Sequence, residues 1–316
     1  MSNELSLKNR VRKVAVKLGV KQQLMPAYEF MNRRKAQSRM KLYDPSSTLY
    51  GLNTEKRDFD ITVSFTTYPT RIKSAIYVAD AMLRQTLKPD RVILVLAEDE
   101  YSSKYDLPED YKQLEKRGLS IIFVENLKPH NKYQYAMKNY PNSIVITVDD
   151  DILYDDNLIE TLFNSHRKHP KAVSAMRAHR ILFSDKKVLS YNDWGFESTY
   201  TDMPAFDLIA TGVGGVLYPP QFLMAKHEML FNISAIRENS LLNDDIWLKL
   251  LELQCDVPVV LAKHSPPDIL LVPSSQKTSL QSSNVDSERN DKIMRDTMRY
   301  LEITGDDLYE RLSGHN

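Results

Sequence analysis

Apolar positions along this chain fall into short continuous runs separated by stretches with helical spacing. Asp60–Thr66 (DITVSFT), Arg91–Ala97 (RVILVLA), Leu119–Val124 (LSIIFV) and Ser143–Val148 (SIVITV) are apolar and β-branched almost throughout, the pattern of strands covered on both faces. Between them, Arg71–Gln85 carries Ile72, Ile76, Ala79 and Leu83 at helical intervals. Leu107–Arg117, ended by Gly118, and Lys132–Tyr140 also read as helices. Alternating strands and helices predict an α/β fold: a mainly parallel sheet flanked by helices, with ligands beyond the carboxyl ends of the strands.

Past residue 151 the rhythm loosens. A helix is expected over Asp155–His166, a short strand over Ala172–Met176, and a polar, aromatic stretch over Leu182–Asp207. Thr211–Pro220 (TGVGGVLYPP) follows, then a helix over Asn243–Leu253 with Asn243 as its N-cap, and a last strand over Val257–Ala262. A serine-rich stretch leads into a terminal helix over Asp286–Leu301. Pro26 and the Tyr43–Asn53 stretch punctuate the other end. The expected organisation is a basic amphipathic segment and linker (1–50), a catalytic domain (58–270), and a polar loop with a C-terminal helix (271–316).

Charge changes the picture only locally. Lys+Arg and Asp+Glu both number 42, yet residues 1–42 hold eleven basic side chains against two acidic ones. Within that segment Leu7, Val11, Val14 and Leu18 form a narrow helical stripe. Such a helix either lies on anionic lipid or docks on the body of the protein. No aromatic platform accompanies it, so nucleic acid is not an expected partner. Lys13 and Lys17 interrupt its apolar stretch, which predicts no signal peptide. No apolar run approaches the ~20 residues of a spanning helix. A cytoplasmic protein, peripheral at the inner face of the cell membrane, is the expectation. The single cysteine, Cys255, excludes an internal disulfide framework. Nine glycines in 316 residues include neither a G-x-G-x-x-G nor a Walker loop.

The most informative chemistry is Asp149-Asp150-Asp151, directly after a predicted core strand. Like charges packed there repel, and a divalent ion, Mn²⁺ or Mg²⁺, would relieve them through oxygen ligands. Strand alternation would aim Asp149 and Asp151 one way, as metal ligands, and Asp150 the other. The alternative is a solvated acidic turn before the helix at Asp155. An aspartyl phosphatase would want Gly and Thr or Val after its acids, where this chain has Ile152 and Leu153. A nucleotidyltransferase would want a glycine-rich basic loop after the first strand, where this chain has Thr66-Thr67-Tyr68-Pro69-Thr70-Arg71.

Together, Val63-Ser64-Phe65-Thr66-Thr67-Tyr68-Pro69-x-Arg71, Gln85-Thr86-x-x-Pro89-Asp90, Pro129-His130-Asn131-Lys132-Tyr133, Val148-Asp149-Asp150-Asp151, Gly212-Val213-Gly214-Gly215 and Asn243-Asp244-Asp245-Ile246-Trp247 resemble a GT-A glycosyltransferase. More closely, the chain resembles bacterial family-2-like enzymes of surface polysaccharide (capsule or lipopolysaccharide) synthesis, over about residues 58–270. The resemblance implies a GT-A, Rossmann-like fold and metal-dependent, inverting transfer from a nucleotide sugar such as a UDP-sugar. The acceptor would be a glycan or a lipid-linked glycan.

By that resemblance Thr66, Tyr68 and Arg71 hold the nucleotide, Glu98 stands where an acid reads the base, and Asp149 and Asp150 meet the nucleotide sugar. Lys132 is a diphosphate partner or a solvated helix lysine. Asp245, with Asp244 beside it, is the general base, although both also suit the first turn of a helix. His264 follows the last strand, where some such enzymes place a third metal ligand. Gly212, Gly214 and Gly215 either let backbone approach a sugar or allow a bend. Trp194 and Trp247 either stack on sugar or fill the core. The rival readings are a nucleotidyltransferase or phosphatase on a related core, and a non-catalytic nucleotide- or sugar-binding subunit.

Overall fold

A computed structural model of the protein describes residues 21–101, 103–198, 203–263, 269–273 and 287–313. The four apolar runs form β1 (Ile61–Thr66), β2 (Arg91–Ala97), β3 (Leu119–Val124) and β4 (Ile144–Thr147). β5 (Val173–Ala175), β6 (Val216–Tyr218) and β7 (Val259–Leu261) complete a sheet of order β7-β5-β6-β4-β1-β2-β3 among the described residues. Val63 lies between Val92 of β2 and Ile146 of β4 in parallel register. β6 alone runs antiparallel, with Leu217 opposite Ile146 and Ser174. The sheet is therefore mixed and mainly parallel, as the alternation predicts.

Alternate side chains feed two cores because successive residues of a strand face opposite ways. Ile144 and Ile146 join one core, beneath α2 (Ile72–Leu83), α3 (Asp110–Lys116) and α5 (Leu158–Lys168). Val145 joins the other, with Tyr133 of α4 (Asn131–Asn139) and Trp247 of α6 (Asp244–Gln254). The tail holds two helices rather than the one expected, α7 (Ser287–Tyr300) and α8 (Gly305–Ser313). Ile293 and Met294 of α7, Leu301 just beyond it, and Leu308 and Leu312 of α8 enter this second core, so the tail is built into the body of the fold.

At the other end α1 (Lys21–Met40) runs straight through Pro26, where the sequence suggests a break. Proline's φ suits a helix, and the cost is chiefly one lost hydrogen bond and local crowding. The Leu7–Leu18 stripe lies outside the described residues. None of the described helices is long and apolar enough to cross a membrane.

Candidate active site

β1 and β4 are neighbours and run the same way, so the segments leaving them meet at the carboxyl edge of the sheet. β4 ends at Thr147, and the chain turns through Asp149, Asp150 and Asp151. That turn cancels the alternation expected of them. Asp150 and Asp151 share Arg71, whose Nη1 lies 3.1 Å from Asp150 Oδ1 and 2.9 Å from Asp151 Oδ2. The Thr67 hydroxyl donates to Asp150 Oδ2. Burial pushes the Asp151 carboxyl up to about 7, against the pull of Arg71. Burial likewise raises Asp150, with Thr67 and Arg71 opposing.

Arg71 is thus engaged by carboxylates rather than presented to phosphate. It is buried, and its guanidinium lies 5.3 Å from the Tyr68 ring centre. The neighbouring Thr66 donates its hydroxyl to Val95 O at 2.8 Å, a bond within the sheet.

Asp149 points elsewhere. Its Oδ1 lies 3.1 Å from Lys132 Nζ, and the same ammonium lies 3.0 Å from Asp244 Oδ2. Lys132 sits in the first turn of α4 and is buried, so the solvated alternative is excluded. Burial opposes its charge, but Asp149, Asp244 and Asp245 more than offset that, and its pKa stands well above the lysine norm. Asp244 and Asp245 open α6, where Asn243 caps the helix by accepting from the Ile246 N–H at 2.9 Å. The cap is held in turn, because Asn243 Nδ2 donates to Asn290 Oδ1 of α7 at 3.0 Å.

Gly212 closes the cluster. Its N–H donates to Asp245 Oδ1 at 3.2 Å. A Cβ there would stand 2.5 Å from Lys132 Nζ and 3.1 Å from Asp149 Oδ1, so any side chain would displace the lysine. Burial raises the Asp245 pKa, Asp244 adds to the rise, and Lys132 only partly counters it. Gly215 holds φ +91°, which a side chain rarely adopts, and provides the bend into β6. Gly214 packs its backbone against Arg177.

The supporting residues were mostly unforeseen. Tyr154 accepts from the Asp149 N–H at 2.8 Å and donates to Val213 O at 3.2 Å, tying the β4 exit to the glycine segment. His130 Nε2 lies 2.8 Å from Ser240 O and its Nδ1 2.9 Å from the Tyr133 hydroxyl. A carbonyl can only accept, so the proton is assigned to Nε2. Burial lowers the pKa of this histidine, which keeps it neutral. Arg177, two residues past the end of β5, donates to Thr211 Oγ1 at 3.2 Å, beside the glycines. A cation just past a strand end is a signal the sequence did offer.

Two expectations need correction. Trp194 is buried, with Nε1 donating to Leu189 O at 2.9 Å, because the turn over Tyr191–Asp193 folds its indole inward. Trp247 is fully buried and stacks on Tyr300 at 5.8 Å. Neither can meet a sugar. Glu98 is exposed past β2, while Asp99 and Glu100 are held by Asn126 and Lys128. His264 lies outside the described residues.

Among the described residues, no three His, Cys, Asp or Glu side chains group to hold a metal by themselves. Mg²⁺ sites, however, commonly use one or two carboxylates together with substrate phosphates. Asp149, with its side chain 30% exposed, fits that role, whereas Asp151 is committed to Arg71.

No family model matches the sequence, and comparison with curated proteins finds no match either. Solved structures similar to it include a CMP:2-keto-3-deoxy-manno-octonic acid synthetase complexed with CTP. It is 11% identical with a TM-score of 0.41, covering 72% of this chain and 98% of its own. Another is a UDP-glucose pyrophosphorylase from Acinetobacter baumanii, 12% identical with a TM-score of 0.40, covering 78% and 100% respectively. What this chain does must be read from its own side chains.

Proposed function

We propose that this chain is an α/β enzyme acting on a nucleotide sugar, and that it transfers the sugar to a hydroxyl of a glycan acceptor. One observation carries the reading. Asp149 beyond β4 and Asp245 at the head of α6 belong to one cluster, around Lys132 and Gly212. A structural helix cap would need Asn243 alone, and a nucleotide-binding module would need no second buried acid.

In this reading Asp245 removes the acceptor hydroxyl proton as the acceptor oxygen bonds to the anomeric carbon and the bond to the diphosphate breaks. The outcome is inversion. Its raised pKa suits the task, because a general base works best with a pKa near the operating pH. Lys132 pairs with Asp149 and Asp244 and supplies positive charge beside the leaving group. A Mn²⁺ or Mg²⁺ ion carried by Asp149 and the donor phosphates would offset the charge of the departing diphosphate.

Nucleotidyl transfer is the second reading, since the same carboxylates would serve attack of a sugar phosphate on a nucleoside triphosphate. The test runs both reactions with Mn²⁺. Release of nucleoside diphosphate from a nucleotide sugar plus acceptor supports glycosyl transfer. Release of pyrophosphate from a nucleoside triphosphate plus sugar phosphate supports the second reading. Nucleotide-sugar binding with neither release would leave a non-catalytic subunit.

A further inference from the structure

Beside the carboxylate cluster, but containing none of it, lies a cavity of about 770 Å³ between α1 and the segments leaving β4 and entering β6. That volume is typical of sites for small organic ligands. Its lining is two-sided. Arg34, Lys35 and Arg39 of α1 and Lys263 beyond β7 contribute four cations, against the single carboxylate of Asp155. Ile152, Leu153, Met176, Val213 and Leu270 give it an apolar floor. Arg39 is already paired with Asp155, whereas among the described residues no ion pair involves Lys263 or Arg34, whose guanidinium lies over the Phe30 ring at 5.3 Å.

We infer that this cavity binds a phosphomonoester with an apolar body, its phosphate on the Arg34 and Lys263 wall and its hydrocarbon on the floor. Phosphate suits a wall of arginine and lysine, through charge-assisted hydrogen bonds from both. A polar sugar would leave the apolar floor without a partner, and a neutral hydrocarbon would leave Arg34 and Lys263 unanswered. The ligand would also sit next to the chemistry. Tyr154 forms part of the cavity wall, and its hydroxyl is the group that accepts from the Asp149 N–H and donates to Val213 O. Binding itself does not depend on the activity proposed above.

The probes are hexyl phosphate, inorganic phosphate and hexanol, titrated by calorimetry into the full chain without metal or nucleotide. Hexyl phosphate should bind at least about tenfold more tightly than either fragment, because only it meets both walls. The double substitution Arg34→Gln/Lys263→Gln should weaken hexyl phosphate about tenfold and leave hexanol unchanged. Asp149→Asn, outside the cavity lining, should keep hexyl phosphate binding whatever it does to turnover. Equal affinities for hexyl phosphate and inorganic phosphate would overturn the inference, by showing that the floor is unused. So would full hexyl phosphate affinity in the double variant, which would place the ligand elsewhere.

Discussion

Lys132 Nζ stands 3.1 Å from Asp149 Oδ1, joining the first turn of α4 to the exit of β4. Because Asp244 lies 3.0 Å from the same ammonium, one buried cation serves carboxylates from two distant parts of the chain. Removing it leaves those acids facing one another without compensation. Lys132→Met should therefore cost about 3–5 kcal/mol of stability, the usual consequence of deleting one partner of a buried pair. A urea titration of variant and parent measures it. A loss below about 1 kcal/mol would mean that water already screens the cluster.

Asp245→Asn tests the base. Nucleotide-sugar binding should persist, while kcat for transfer falls by about 10²–10⁴, the range for losing general base catalysis. Asp244→Asn should be milder in kcat, because that acid faces Lys132. Steady-state kinetics of nucleoside diphosphate release separates the two, and the reverse ranking would assign the base to Asp244.

Ion binding should distinguish Asp149 from Asp151. Asp149→Asn should weaken Mn²⁺-dependent binding of a nucleoside diphosphate at least about tenfold, whereas Asp151→Asn, which loses a contact to Arg71, should weaken it less. Calorimetry with and without Mn²⁺ reads both. Equal losses would show that the turn after β4 rearranges to bring both acids to the ion.

Stability of the metal-free protein should depend on pH in a stated direction. An aspartate ordinarily titrates near 3.8, and burial lifts Asp151 to about 7. Between those values the folded chain holds a proton that the unfolded chain has released. Stability contributed by that proton is present in acid, is lost as pH rises towards 7, and changes little above. Urea midpoints between pH 4.5 and 8 should fall accordingly, and Asp151→Asn should flatten the slope. A midpoint that rises over this range would contradict the buried, proton-holding state.

Glycine substitutions separate chemistry from fold. Gly212→Ala would set a methyl group 2.5 Å from Lys132 Nζ, so the flexible end of the lysine must shift and its spacing to the carboxylates changes. Turnover should drop at least about tenfold with a small change in melting temperature, since the displaced atom ends a flexible side chain. Gly215→Ala, at φ +91°, should cost about 1–2 kcal/mol of stability instead. Melting curves and rates on both variants decide it.

The parallel half of the fold was legible because strands covered on both faces must be apolar throughout, and β2 and β3 match their predicted bounds. The antiparallel course of β6 was not, since three residues carry no sign of direction. Asp149, Asp244 and Asp245 could be picked out as acids at element ends, and Asn243 as a cap. Their joining through Lys132 could not, because it depends on how α4 and α6 pack. The division of the aspartates between Arg71 and Lys132 was hidden by the turn after Thr147. Trp194 misled for a related reason: its polar neighbours suggest exposure, but a short helical turn rotates the indole into the core.

The hold of α7 on α6 bears on when the protein becomes competent. Asn290 secures the cap residue next to Asp244, and Tyr300 covers Trp247 one turn further on. Every carboxylate of the cluster is translated before either of them. A nascent chain still on the ribosome thus carries all the acids of the cluster yet lacks the brace that sets their spacing. The brace arrives only with α7, so chains cut short before it by damage or premature release would carry the cluster without its support.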